Sequence, residues 1–134
     1  MSAFTALNTG LYSTLSGGTA LTTLLGGTAV YYLHAPEGAS LPYVVWNYQG
    51  GGDENQTPSR MKNLLLFIRG YAATPSLAGS IDTQVDTLLH GKAITVSGWT
   101  NFWTNREEDL ALVEYEPTGE NIYMAGGMYR VRLT

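Results

Sequence analysis

The sequence predicts an α+β fold: a mixed, mainly antiparallel sheet of about five strands with an N-terminal helix and one long helix packed on it, in the order α-(α)-β-β-β-α-β-β(-β). Three observations carry this expectation. Apolar residues recur at spacings of three and four in two windows, near the N terminus and again over 75–90. Elsewhere the period falls to two, in segments rich in β-branched and aromatic residues. The connections are short and rich in turn residues, which suits helices lying on one face of an antiparallel sheet. At 134 residues the chain is expected to form a single domain, 1–134.

The first helix is predicted over 3–16, with Phe4, Leu7, Leu11 and Leu15 on one face, Ser2 as N-cap and Gly17-Gly18 as its end. Thr19 is expected to cap a short helical turn carrying Leu21, Leu24 and Leu25, closed by Gly26-Gly27. Strands follow at Thr28–Leu33 and Pro42–Tyr48. Gln49 to Arg60, QGGGDENQTPSR, holds no apolar residue and is expected to be an exposed, mobile loop. Met61–Tyr71 reads as a central strand, with Leu64, Leu66 and Ile68 on one side and Leu65, Phe67 and Arg69 on the other. Thr74-Pro75 opens the long helix, whose stripe is Leu77, Ile81, Val85 and Leu88 or Leu89, with Gly91 as its stop. Period-two segments close the chain at Ala93–Thr104, Leu110–Glu116 and Ile122–Leu133, the last with Gly126-Gly127 as a bulge or tight bend.

Composition removes several functions. Cysteine is absent, which excludes disulfides, thiolate catalysis and cysteine-based metal sites. A net charge of −4, with only 13% charged residues, gives no basic footprint for nucleic acid. The opening residues lack a basic region before an unbroken apolar block, and no apolar run approaches a membrane span, so the expectation is a soluble protein made inside a cell.

Candidate chemistry is sparse. Asp82, Asp86 and His90 share one flank of the long helix at spacings that could in principle hold a divalent metal. The favoured reading is a solvated flank, on which Asp82→Ala costs no more than about 0.5 kcal/mol. No nucleophile elbow, phosphate-binding lysine motif or dinucleotide fingerprint occurs. No catalytic residue, metal or cofactor is therefore assigned. Arg106-Glu107-Glu108-Asp109 reads as a solvated hairpin tip, or as a contact for a basic partner. The nine tyrosines and three tryptophans exceed what one small core hides, and these residue types favour protein interfaces. The candidate interface residues are Tyr31, Tyr43, Trp46, Tyr48, Trp99 and Trp103, the loop charges Asp53, Glu54 and Arg60, and the acidic Glu107 and Glu108.

LYSTLSGGTALTTLLGG at Leu11–Gly27, a tyrosine-containing strand, and HAPEGASLPYVVW at His34–Trp46 together resemble the tail terminator, or tail completion, proteins of long-tailed bacteriophages. Ala35-Pro36 and Leu41-Pro42-Tyr43 stand at that family's spacing, and the order of elements follows it nearly to Leu133. Two departures are Thr19, where a carboxylate often stands, and the Gly126-Gly127 interruption of the last strand. The resemblance implies a non-enzymatic virion protein, made in the host cytoplasm and placed in the tail at the head–tail junction. There a homohexameric ring would cap the head-proximal end of the tail tube, end its polymerisation, and join head completion or connector proteins. Its partners would be further copies of itself, the tail tube protein and those head proteins. Genomic DNA would pass without sequence-specific binding and no membrane is involved; an acidic balance suits such a passage. Two rival readings are another neck, head closure or baseplate assembly protein, and a small ligand-binding or catalytic α/β domain.

Overall fold

The computed structural model describes residues 3–55, 60–115 and 121–134. Helix α1 is Ala3–Ser16 and α2 is Thr19–Leu25; strands β1 (Val30–Tyr32), β2 (Tyr43–Asn55) and β3 (Arg60–Ala72) follow; then come α3 (Pro75–Leu89), β4 (Asn101–Tyr115) and β5 (Asn121–Leu133). The five strands form one sheet in the order β1-β2-β3-β5-β4. β1 runs parallel to β2 and every other pairing is antiparallel. The architecture expected from the sequence is therefore present, with β3 at its centre between β2 and β5.

The helices cover one face. Leu7, Leu11 and Leu15 of α1, Leu21 of α2, and Ile81, Val85 and Leu89 of α3 meet Trp46, Leu66, Ile68, Tyr129 and Val131 of the sheet in one buried cluster. A second, smaller cluster lies on the opposite face, where Val45, Phe67, Tyr71, Ile122 and Met124 pack with Ala35 and Leu41 of the connection between β1 and β2. The two-sided apolar character of β3 thus reflects helices on one side and a loop on the other. Thr74 caps α3 by accepting from the Leu77 amide at 3.2 Å, as its sequence position implies. The fully buried stripe of α3 is Ala78, Ile81, Val85 and Leu89, with Leu77 and Leu88 half-buried on its margins.

Several expectations are corrected, among them Thr19, which is the first residue of α2 and not its cap, Gly18 standing at that position. Phe4 is 50% exposed, because the first turn of α1 overhangs Tyr48, and Phe4 packs edge-on against that ring at 4.6 Å; Ala3 and Ala6 line the buried face instead. Ser2, expected as N-cap, and residues 56–59 lie outside the described residues. Gln49–Asn55 is not a loop: it prolongs β2, pairing from Gly50↔Leu65 to Asn55↔Arg60, with Gln49 as a bulge. The polar run can be a strand because the ladder is made by backbone groups, and Gly51, at φ 108°, allows a close approach to the Asn63 carbonyl that any Cβ would obstruct. The β4 region is likewise one continuous strand from Asn101 to Tyr115 and not two, so the acidic cluster sits mid-strand, beside a register shift at Arg106/Glu108. Ala93–Thr100 precedes it as irregular chain with a single bridge between Val96 and Trp99.

Gly126-Gly127 is neither bulge nor bend. Both lie inside β5, paired on each side, and the irregularities belong to β4. A Cβ on Gly127 would come within 2.6 Å of the Arg106 Nε, so this position is bare to admit a guanidinium. The β2 extension carries a direct test. The β3-facing amides between Gly50 and Asp53 are expected to exchange with solvent as slowly as those of Met61–Asn63 opposite, measured by native-state hydrogen exchange; free exchange there would remove the β2 extension.

Candidate assembly surfaces

Arg106 organises the β4 side of the molecule. Its two terminal nitrogens donate to both carboxylate oxygens of Asp82 on α3, at 2.8 and 2.9 Å. Nε donates to Asp109 at 2.5 Å, and the remaining donors reach the Tyr129 hydroxyl and the Gly126 carbonyl. Tyr129 in turn donates to Asp86 at 3.1 Å, and the Arg106 amide donates to His90 Nδ1 at 3.0 Å. Burial works against the guanidinium charge, but the Asp82 hydrogen bonds more than offset it and hold Arg106 above its ordinary pKa. Burial likewise raises the Tyr129 phenol, against the pull of the adjacent Arg106. The flank of Asp82, Asp86 and His90 is therefore not merely solvated. It is one side of an ion-pair network pinning α3 to β4 and β5. Among the described residues no group of three potential metal ligands is assembled.

The network also finishes part of an edge. Gly91 donates to the Thr104 carbonyl and His90 accepts from Arg106, which covers β4 near its start. Beyond Glu108 the strand is bare, and Leu110, Leu112 and Val113 are 37%, 56% and 46% exposed. A cavity of about 270 Å³ opens beside them, between Pro75 and Ala78 of α3 and Ala111, Tyr123 and Ala125 of the sheet. The opposite edge is the three-residue β1, where Tyr32 and, just beyond the strand, Leu33 are exposed.

The candidate interface residues divide between these two ends. Tyr31 and Tyr43 are half-buried and touch at 6.2 Å, and Tyr43 continues onto Tyr71 at 5.4 Å. Trp46 is corrected: it is 2% exposed, in the core, with its indole N–H donating to Asn8 at 3.2 Å, because even-numbered β2 residues at this level face the helices. Tyr48 is half-buried, donates to the same Asn8 oxygen at 3.0 Å, and is held above its ordinary pKa chiefly by burial. Asp53 is exposed and ion-paired with Lys62. Glu54 and Arg60 lie in the paired ends of β2 and β3, and their side chains are outside the described residues. Trp99 is half-buried against the helix-side core, and Trp103 lies under the Arg132 guanidinium at 5.1 Å. Glu107 accepts from Arg130 at 2.8 Å, a hydrogen bond that lowers its pKa, while Glu108 is exposed.

Sequence reasoning missed Phe4, Tyr12, Leu110, Leu112 and Val113 as surface. The signal in LALV was its apolar character on both faces, in a stretch with no second helix to cover it.

Bare apolar strand surface of this kind, at Leu110, Leu112 and Val113, marks a surface for contact with another protein. The chain belongs to the family of tail completion protein gp17, whose model matches residues 9–120. It is accordingly a structural phage tail protein acting in tail completion and head–tail joining, and not an enzyme. A chain in the virion of a native gene transfer agent particle shares the fold, with TM-score 0.82 at 19% identity over 98% of this chain and 97% of that one. A second solved structure gives TM-score 0.63 at 8% identity, covering 100% of this chain and 97% of its own. At these identities the likeness is one of fold. No curated protein matches the sequence. Among the described residues no helix is long and apolar enough to cross a membrane.

Proposed function

We propose that this protein, as a single domain, closes the head-proximal end of the tail tube as a homohexameric ring, ends tube polymerisation there and presents the surface on which head completion or connector proteins dock. Family membership over residues 9–120 carries the reading. Two further observations support it. The same fold occurs in a chain of a gene transfer agent virion. The sheet also has two unlike edges, the short β1 and the long β4 with its bare apolar half, and unlike patches join identical subunits head to tail into closed rings. Tyr31, Tyr43, Tyr48, Trp99, Trp103, Asp53, Glu54, Arg60, Glu107 and Glu108 are proposed to serve the contacts between subunits and with tube or head proteins. Genomic DNA passes the ring without sequence-specific contact, consistent with a net charge of −4. The protein is made in the host cytoplasm before it joins the tail.

Electron microscopy of particles assembled with and without the protein tests this reading. With it, a six-fold layer is expected between tube and head. Without it, tubes are expected to be of irregular length and heads to be unattached. Tails of normal length carrying heads in its absence would overturn the proposal.

A further inference from the structure

We infer that the cavity around Arg69 receives a carboxylate from a second copy of this chain, Glu108 of the neighbouring copy, an inference that rests on the ring reading above. Arg69 stands in mid-β3, in register with Val45 and Gly126, on the face away from the helices. Beside it the connection between β1 and β2 roofs a cavity of about 390 Å³, walled by Leu33, His34, Pro36, Tyr43 and Tyr71. The guanidinium lies 4.8 Å from the centre of the Phe67 ring and 6.0 Å from that of Tyr71. Aromatic contact of this kind fixes the plane of the group and leaves its edge for hydrogen bonding.

Among the described residues, Arg69 Nε is buried and has no acceptor, and no carboxylate pairs with Arg69. Lys62, Arg106 and Arg130 show the contrast, each holding an acid of its own. Native proteins seldom leave a buried donor unsatisfied. A planar carboxylate is the group that takes parallel N–H donors from a guanidinium. Nucleic-acid phosphate fits less well, since one isolated arginine on a chain of net charge −4 makes no track along a polyanion.

The donor follows by charge complementarity. Asp53, Asp82, Asp86, Glu107 and Asp109 all have partners within the subunit. Among the described carboxylates, Glu37 and Glu108 have none. Glu37 belongs to the loop that roofs the cavity. Glu108 lies on β4 at the far edge of the sheet, and its register with Met128 puts it on the same face as Arg69. One sheet keeps the two apart; a head-to-tail junction between identical subunits brings the end bearing one against the end bearing the other.

Charge reversal on the whole chain tests the contact, by light scattering in solution and by ring occupancy on assembled tails, with thermal melts to verify folding. Arg69→Glu and Glu108→Arg alone are each expected to weaken association roughly ten- to a hundredfold, and the double reversal to restore it. Glu37→Gln is expected to leave association unchanged. Because the natural chain has no cysteine, Arg69→Cys and Glu108→Cys on separate copies are also expected to cross-link on oxidation, a readout that survives if Arg69→Glu fails to fold. A six-fold ring that forms with either reversal, or without the cross-link, would overturn this contact and leave the ring reading standing. Absence of any ring with the natural chain would overturn both. Loss of retention of a short DNA duplex by Arg69→Gln, with association intact, would reassign the cavity to phosphate.

Discussion

Arg106→Met is expected to destabilise the subunit by about 2–4 kcal/mol, read from urea unfolding at neutral pH. Removing one partner of a mostly buried pair costs about 3–5 kcal/mol, because the other charge is left stranded. The lower figure allows for solvent at Asp82, whose side chain is 21% exposed against 14% for Arg106. Methionine keeps apolar contact with Tyr129 and so isolates the loss of charge. Arg106→Lys should recover only part of the stability, since an ammonium cannot grip both Asp82 oxygens as a fork. Asp82→Ala is expected to cost well over the 0.5 kcal/mol that a solvated flank implies, and it should couple to Arg106 in a double-mutant cycle. Asp109, 84% exposed, should be nearly silent when changed to Asn. A cost below about 1 kcal/mol for Arg106→Met would mean that the network does not hold α3 to the sheet.

Ile81→Ala is expected to be at least as damaging. Ile81 is fully buried, and its Cγ2 lies directly over β3 where Gly70 leaves no side chain: a Cβ there would approach it to 2.6 Å. Truncating a buried isoleucine costs about 2–5 kcal/mol, more where the surroundings cannot collapse into the void. The floor of this void is strand backbone paired on both sides, which moves little. The effect should therefore fall in the upper half of that range, a large share of the roughly 5–15 kcal/mol that holds a domain of this kind together. Urea midpoints for the natural chain and the variant decide it, and a loss under about 1 kcal/mol would exclude α3 as the main prop of the sheet.

Both predictions show what the sequence disclosed and what it withheld. Helix α3 was legible because its cap, its first-turn proline and its stripe are all local signals. The apolar middle of β3 announced its central place for the same reason. The Gln49–Asn55 strand was not legible, since polarity and glycine speak of loops while what holds it is the backbone of Arg60–Leu65 on the next strand. β4 was misread for a related reason: a run of four charged residues resembles a tip until the opposing Arg130, Asp82 and Gly127 are known. Arg69 and Arg106 look alike in sequence, as single arginines near aromatics. Only the fold distinguishes the one with five acceptors from the one whose buried Nε has none among the described residues.

The strand order has a consequence for how the molecule is made. β5 follows all the other strands in the chain, yet it is the strip to which both β3 and β4 are zipped. Until β5 is in place, β3 has an unpaired margin and β4 has no strand beside it. Such margins invite pairing with the wrong chain. Folding therefore leaves adhesive margins until β5 pairs with both strands. A chain without β5 could not join β4 to the rest of the sheet, and so would lack the β4 edge altogether.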